Sequence, residues 1–459
     1  MDVVFEPAAG RLIFFAVAGI AILLLLIIKF KLQPLLAILL AAVFMGVGVG
    51  MPPQMIVNSI NKGIGLTLQS IALLVGLGSM FGAILEISGG AETISTTLVK
   101  RFGEKKSVWA LGITGLVIAI PVFFDAGLII LIPLAFGLAK KTGKSTLLYG
   151  IPLLGGLAVG HAFIPPTPGP ILVAAMLNAD LGLVIGLGLI AGTIAMILGG
   201  VVWGTHVGNK YNVPVPEHAL ATMDLSKGNN RKAPSFGTVV TIILAPLFLI
   251  LLNTASGALI SNGFESLKPI QPILSFVGTP FVALTIATLL ALVLLGVKNK
   301  YTLAELEKVM TKSLEPAGVI LLVTAGGGVL RYILEDSGIG RVVGDFVAAN
   351  NMPVVVVAFI VALAVRISVG SATVAMTMAA GIVAAMPGVA ALSPIDTACI
   401  VMAVAGGATC ASHVNDSGFW LVKSLFAIDE KLTFKTWTVM ETIVGGTGFV
   451  AACIISAIF

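Results

Sequence analysis

The chain has 459 residues, 58% of them hydrophobic and 10% charged, with a formal net charge of +5 and a mean hydropathy of +1.10. Soluble domains carry about 25% charged residues, so the composition excludes a soluble globular enzyme and implies a polytopic membrane protein whose one domain fills the chain. Lys and Arg gather in short links between apolar runs, where positive-inside bias accounts for them, and nucleic-acid binding is not expected.

In chain order, full spans are predicted at 11–29, 33–50, 58–86, 146–177 and 181–205, then at 236–256, 276–297, 313–335, 394–426 and 435–458. Lys29 and Lys31 follow the first run, which marks a retained span with its N-terminus outside the cytoplasm, and threading the chain puts the C-terminus outside too. Two further stretches, 107–140 and 353–386, are interrupted midway by IPVFFDAG (120–127) and RISVGSA (366–372). Their halves are too short to cross a bilayer alone. Each stretch reads as a re-entrant helical hairpin that returns to its own side. Threaded this way, 20 of the 26 Lys and Arg, among them Lys105, Lys141, Lys227, Arg231 and Lys232, fall on the cytoplasmic side. Arg11, Lys62, Lys268 and Arg341 fall outside, and Arg331 and Arg366 lie at membrane depth.

The segment ILEISG (84–89) recurs as ILEDSG (333–338), a shift of 249, and the same shift lays PTPG (166–169) on NDSG (415–418). Five full spans separate equivalent points, an odd number, so the two halves face opposite ways. The expected fold is an all-α polytopic membrane protein of two inverted-topology repeats, 1–205 and 236–459, each with five transmembrane helices, one of them broken, and one re-entrant hairpin. The polar stretch 206–235 reads as a cytoplasmic connector. Cys399, Cys410 and Cys453 form no CxxC pair and read as small core residues rather than metal ligands or a disulfide.

The hairpin tips and the breaks HAFIPPTPGP (161–170) and ASHVNDSGFW (411–420) occupy matching places in the halves. Unwound backbone in a bilayer must face water or ligand, so these four interruptions are expected to line a central cavity. Arg366 carries a planar fork suited to a ligand carboxylate, and Asp125 and Asp416 are placed to carry a proton or to bind hydroxyls. His161 and His413 are candidates to titrate near neutral pH. Ser371, Thr373, Thr167, Asn415 and Ser417 supply hydroxyl or amide groups at the interruptions. Against these stand structural readings: a salt bridge that locks helices, packed histidines, and hydroxyls bonded back to the preceding helical turn. No HExxH, GxSxG or cysteine ligand set occurs, so no metal site is expected, and four matched breaks suit a binding cavity better than a hydrolase built on Asp125 and Asp416.

On the segments ISGGAETI (87–94), VFFDAGLIILIPLAFGLAK (122–140), PPTPGP (165–170), RISVGSATVAM (366–376) and SHVNDSGFWLVK (412–423), the chain resembles the gluconate:proton symporter (GntP) family of bacterial inner-membrane permeases over essentially its whole length. It resembles the larger ion transporter superfamily more distantly. The resemblance implies proton-coupled uptake of gluconate or a related sugar acid, a proton as coupling ion with no other cofactor, a homodimer in the bilayer, and an elevator-like motion. Some members of the family carry glycerate, fructuronate or D-serine. Asp125 stands where the gluconate carriers commonly have Glu, and Thr167 where PPHPGP would have His, so the particular acid stays open. Arg366 favours a sugar acid over a zwitterionic amino acid. Coupling to Na+ is the alternative mechanism, with Asn415 and freed carbonyls as its ligands.

Overall fold

The computed structural model of the protein describes residues 7–216, 233–350 and 352–459. Among them, eight helices are long and apolar enough to cross a bilayer: Ala9–Ile27, Pro53–Ile87, Thr146–Leu177, Leu181–Lys210, Phe236–Ser261, Pro280–Asn299, Leu303–Asp336 and Glu430–Ile458. One of the ten spans read from the sequence is short, Pro34–Val49 with 16 residues, and the two spans that carry breaks are divided, into Thr146–Phe163 with Pro168–Leu177 and into Pro394–Thr409 with Ser417–Phe426. The interrupted stretches divide as expected, into Ser107–Ala119 with Phe124–Thr142 and into Val354–Val369 with Ala372–Ala384.

Hydropathy misplaced several ends, because a helix keeps its own hydrogen bonds after it leaves the hydrocarbon. The span read at 58–86 starts at Pro53 and runs 35 residues, about 52 Å at 1.5 Å per residue. The span read at 313–335 starts at Leu303, where Thr302 and Glu305 form a reciprocal capping box, and runs 34 residues. Leu181–Lys210 extends past the predicted end at 205, and most of the stretch 206–235, namely 217–232 with Lys227, Arg231 and Lys232, lies outside the described residues. Two helices that hydropathy passed over, Gly90–Phe102 and Ile339–Ala349, precede the two hairpins. Their starts are 249 residues apart, as are the ten-residue helices Pro168–Leu177 and Ser417–Phe426 and the starts of Leu181–Lys210 and Glu430–Ile458.

The helices pack as two groups that meet where Leu303–Asp336 lies against Ala372–Ala384. Pro53–Ile87 and Leu303–Asp336 pack on each other at the centre of one group, beside Pro34–Val49 and Pro280–Ala291. The other group holds the hairpins, the broken helices, Leu181–Lys210 and Glu430–Ile458. Thr146–Leu177 is its axis: 94% of its most apolar window is buried, against 22% for the peripheral Ala9–Ile27. Apolar side chains gain little from meeting one another in lipid, so close backbone approach supplies much of the attraction. At Gly156 a Cβ would fall 2.1 Å from the carbonyl oxygen of Gly112, so only glycine lets the first hairpin arm seat on this helix. The ends of that hairpin are joined by an ion pair, Lys141 Nζ to Glu104 Oε1 at 2.5 Å. Thr146 donates from its backbone to Val213 at 2.9 Å, which brings the chain after Leu181–Lys210 back to the same end.

Candidate functional site

The tips and breaks form where the sequence cannot continue a helix. Pro165 and Pro166 stop Thr146–Phe163, and Pro168 and Pro170 then sit in the first turn of the next helix, where a missing N–H costs nothing. The second break is wider, 410–416, because no proline restarts the helix until Asp416 caps it through Gly418 N–H at 3.0 Å. At the second hairpin tip Gly370 adopts φ +85°, and a Cβ there would lie 2.2 Å from the Asn415 carbonyl oxygen. Ser371 then caps the returning arm through Val374 N–H at 3.4 Å.

Both hairpin tips, the second break and the end of Thr146–Phe163 converge on a cavity of about 430 Å³, within the range of small-molecule sites, whereas the first break faces a separate crevice. Of the residues singled out from sequence, Asp125, His161, Arg366, Ser371, Thr373, Asp416 and Ser417 line it together. Arg366, 2% exposed, donates through Nη2 to Asp416 Oδ2 at 2.5 Å and through Nη1 to the Gly370 carbonyl. Its Nε, and His161 Nδ1 across the cavity, are buried without a protein partner. Asp416 is fully engaged: Oδ2 also accepts from Ser412 Oγ at 2.5 Å, and Oδ1 from Gly418 N–H. Trp437 Nε1 donates to Ser412 at 2.6 Å and holds that hydroxyl on Asp416.

Three expected residues fall elsewhere. Thr167 is buried at 4% exposure, donates to the Ile164 carbonyl at 2.8 Å, and lines a separate crevice of about 20 Å³ with Ile120, Pro121 and Val122. His413 and Asn415 both engage the Ile367 carbonyl, at 3.0 and 2.8 Å, and so fasten the second break to the second hairpin tip. The other membrane-depth arginine, Arg331, is remote from the cavity: Nη1 donates to the Met176 carbonyl at 2.7 Å, at the negative end of Pro168–Leu177, and Nε lies 3.7 Å from Glu335.

Sequence reasoning missed Glu441 and Trp437. Both line the cavity, and Glu441 is 5% exposed. A lone carboxylate in the apolar run 435–458 was a legible signal, because an intramembrane ionisable residue is functional by default. The group of the two long helices contributes only Pro316 and Ile320 to the wall, both apolar.

Known proteins are similar to this chain in sequence and in fold. The GntP family permease matches residues 11–458. The chain is 36% identical over 445 residues to the low-affinity gluconate transporter of Escherichia coli, covering 96% of this chain and 98% of that one. It is 35% identical over 436 residues to the gluconate permease of Pseudomonas aeruginosa, covering 95% of each. Its fold is similar to that of Neisseria gonorrhoeae MtrF, from a class of antimetabolite efflux pumps, with a TM-score of 0.60 at 15% identity over 87% of this chain and 83% of that one. A multi-pass α-helical chain with a polar cavity between broken helices, matched from end to end by one family, belongs to the GntP family of permeases.

Proposed function

We propose that the protein is a secondary active transporter that takes up gluconate or a related sugar acid together with protons across the bacterial inner membrane. The observation that carries this is Arg366, which lines the cavity with only two of its five N–H donors bonded, to the Gly370 carbonyl and to Asp416. A substrate carboxylate completes that fork, and Ser371, Thr373, Ser417 and Asp125 offer partners for hydroxyls. The substrate names of the two gluconate relatives support the same chemistry.

The architecture that serves this function is a pair of inverted repeats, 1–205 and 236–459, joined by a cytoplasmic connector over 206–235, with both termini outside the cytoplasm. Equal helices at a shift of 249 support the duplication, and the Glu104–Lys141 contact supports a first hairpin that turns back. Two copies form the working unit in the bilayer. Proton coupling draws on the carboxyl groups that face the cavity. Proteoliposomes test the reading: an inward pH gradient without Na+ should drive uphill accumulation of D-gluconate. Accumulation that follows only a Na+ gradient would make this a sodium-coupled carrier.

A further inference from the structure

The cavity contains a carboxyl group that nothing in it satisfies. Glu441 is 5% exposed, and Oε1 is sealed from solvent with no hydrogen-bond partner. The side chain is nevertheless held firmly in place. Trp437 and Thr438, before it, donate to Ser412 at 2.6 and 2.5 Å, and Thr442, after it, accepts from Ala411 N–H at 3.2 Å. Trp437 and Thr438 lie in a π-helical turn over Phe434–Thr438, a distortion that recurs at functional sites. The helix is thus fastened to the second break on both sides of Glu441, while Glu441 itself is left without a donor.

Charge balance shows what such a group can do. The charged and titratable groups facing it are Arg366 from the second hairpin, Asp416 and Cys410 from the second break, His161 from Thr146–Phe163 and Asp125 from the first hairpin tip. Arg366 is already neutralised by Asp416. Asp125 is exposed, so water can stabilise its carboxylate, whereas an ionised Glu441 would be a buried negative charge with no counter-ion, and a bound sugar acid would add another. A buried charge without a partner is costly, and two like charges in one cavity are costlier. A proton on Glu441 removes the conflict, so anion and proton enter the cavity together and leave it together.

We propose that Glu441 is the carboxyl group that takes up and releases the coupling proton, while Asp416 stays the fixed counter-ion of Arg366. This rests on the proton-coupled reading above and names its proton site. The proton binds the Glu441 carboxylate with the substrate on one side of the membrane and returns to water with it on the other.

The test uses the full-length protein in proteoliposomes, with D-gluconate as probe, and infrared difference spectra recorded against pH without substrate. Glu441→Gln should lose pH-driven accumulation by at least about tenfold while equal-pH counterflow of D-gluconate persists, because an amide mimics the protonated acid. The protonated-carboxyl band that titrates in the native protein should vanish in Glu441→Gln and remain in Asp416→Asn. A band that persists in Glu441→Gln, or uphill accumulation unchanged in it, overturns the assignment, as does joint loss of accumulation and counterflow in a protein that elutes as a folded species. If Glu441→Gln cannot be recovered folded, Glu441→Asp decides: a displaced pH optimum upholds the site and an unmoved one overturns it. Native protein that ignores a pH gradient overturns the proton-coupled reading as well, whereas native accumulation with an unaltered Glu441→Gln overturns only the site.

Discussion

Arg366 and Asp416, fifty residues apart in sequence, meet at 2.5 Å with both side chains buried, one at the end of a hairpin arm and the other at the start of a half-helix. Removing one partner of a buried pair strands the other charge, which costs roughly 3 to 5 kcal/mol. Asp416→Asn should therefore lower the thermal stability of the purified protein markedly, although Asn can still cap Gly418. Adding Arg366→Gln to that variant should recover part of the loss. Strictly additive losses would mean that the two side chains do not depend on each other.

Arg366 should also set substrate affinity. Arg366→Lys keeps the charge and loses the fork, so the half-saturating concentration of a sugar acid should rise at least about tenfold, matching the roughly 1.5 to 3 kcal/mol of a charge-assisted hydrogen bond. Concentration-dependent uptake measures it. Unchanged affinity in a well-folded variant would confine Arg366 to holding Asp416.

Thr167 should matter little to binding. Its hydroxyl is spent on the Ile164 carbonyl, away from the main cavity. Thr167→Val is expected to keep affinity within about twofold and to cost on the order of 1 kcal/mol of stability for the lost hydrogen bond. A tenfold affinity change would return this position to the binding site.

Gly370→Ala should damage the second hairpin tip, since it combines a left-handed backbone with a Cβ 2.2 Å from the Asn415 carbonyl oxygen. Strain of about 1 to 3 kcal/mol is expected from the backbone, before the clash is counted. The melting temperature should fall, and so should protection of 411–416 from proteolysis. A variant with native stability would show that the tip can shift away from the break freely.

Glu104 and Lys141 offer a check on sidedness. The Lys141 ammonium holds the Glu104 carboxyl below the usual carboxylate range through a hydrogen bond and its charge. The pair is exposed, so it reports geometry rather than stability. Cysteines placed at Lys105 and Lys141 should react with an impermeant reagent from the cytoplasmic face only. Labelling from opposite faces would turn the hairpin into an ordinary span.

Much of this was legible because lipid makes errors expensive. Asp125, Arg366 and Asp416 stood out as charges that hydrocarbon does not tolerate, and all three line the cavity. The same rule applied to Glu441 would have found it, but a single acid midway along an apolar run was read as part of a span. Thr167, His413 and Asn415 were placed by adjacence to breaks. A break has two sides, and only the three-dimensional path decides whether a side chain faces the cavity or staples one loop to another. Helix ends at Pro53 and Leu303 escaped because hydropathy measures where lipid ends, while hydrogen bonding and capping decide where the helix ends.

The wall built by Pro316 and Ile320 has a mechanical meaning. Every polar atom available to a substrate belongs to the hairpins, the broken helices and the helix of Glu441, and none belongs to the long helix opposite. A bound sugar acid therefore makes no side-chain hydrogen bond to that surface. Greasy side chains in contact have shallow, non-directional attraction, so this side of the cavity holds its cargo by packing alone and leaves its orientation to the opposite wall.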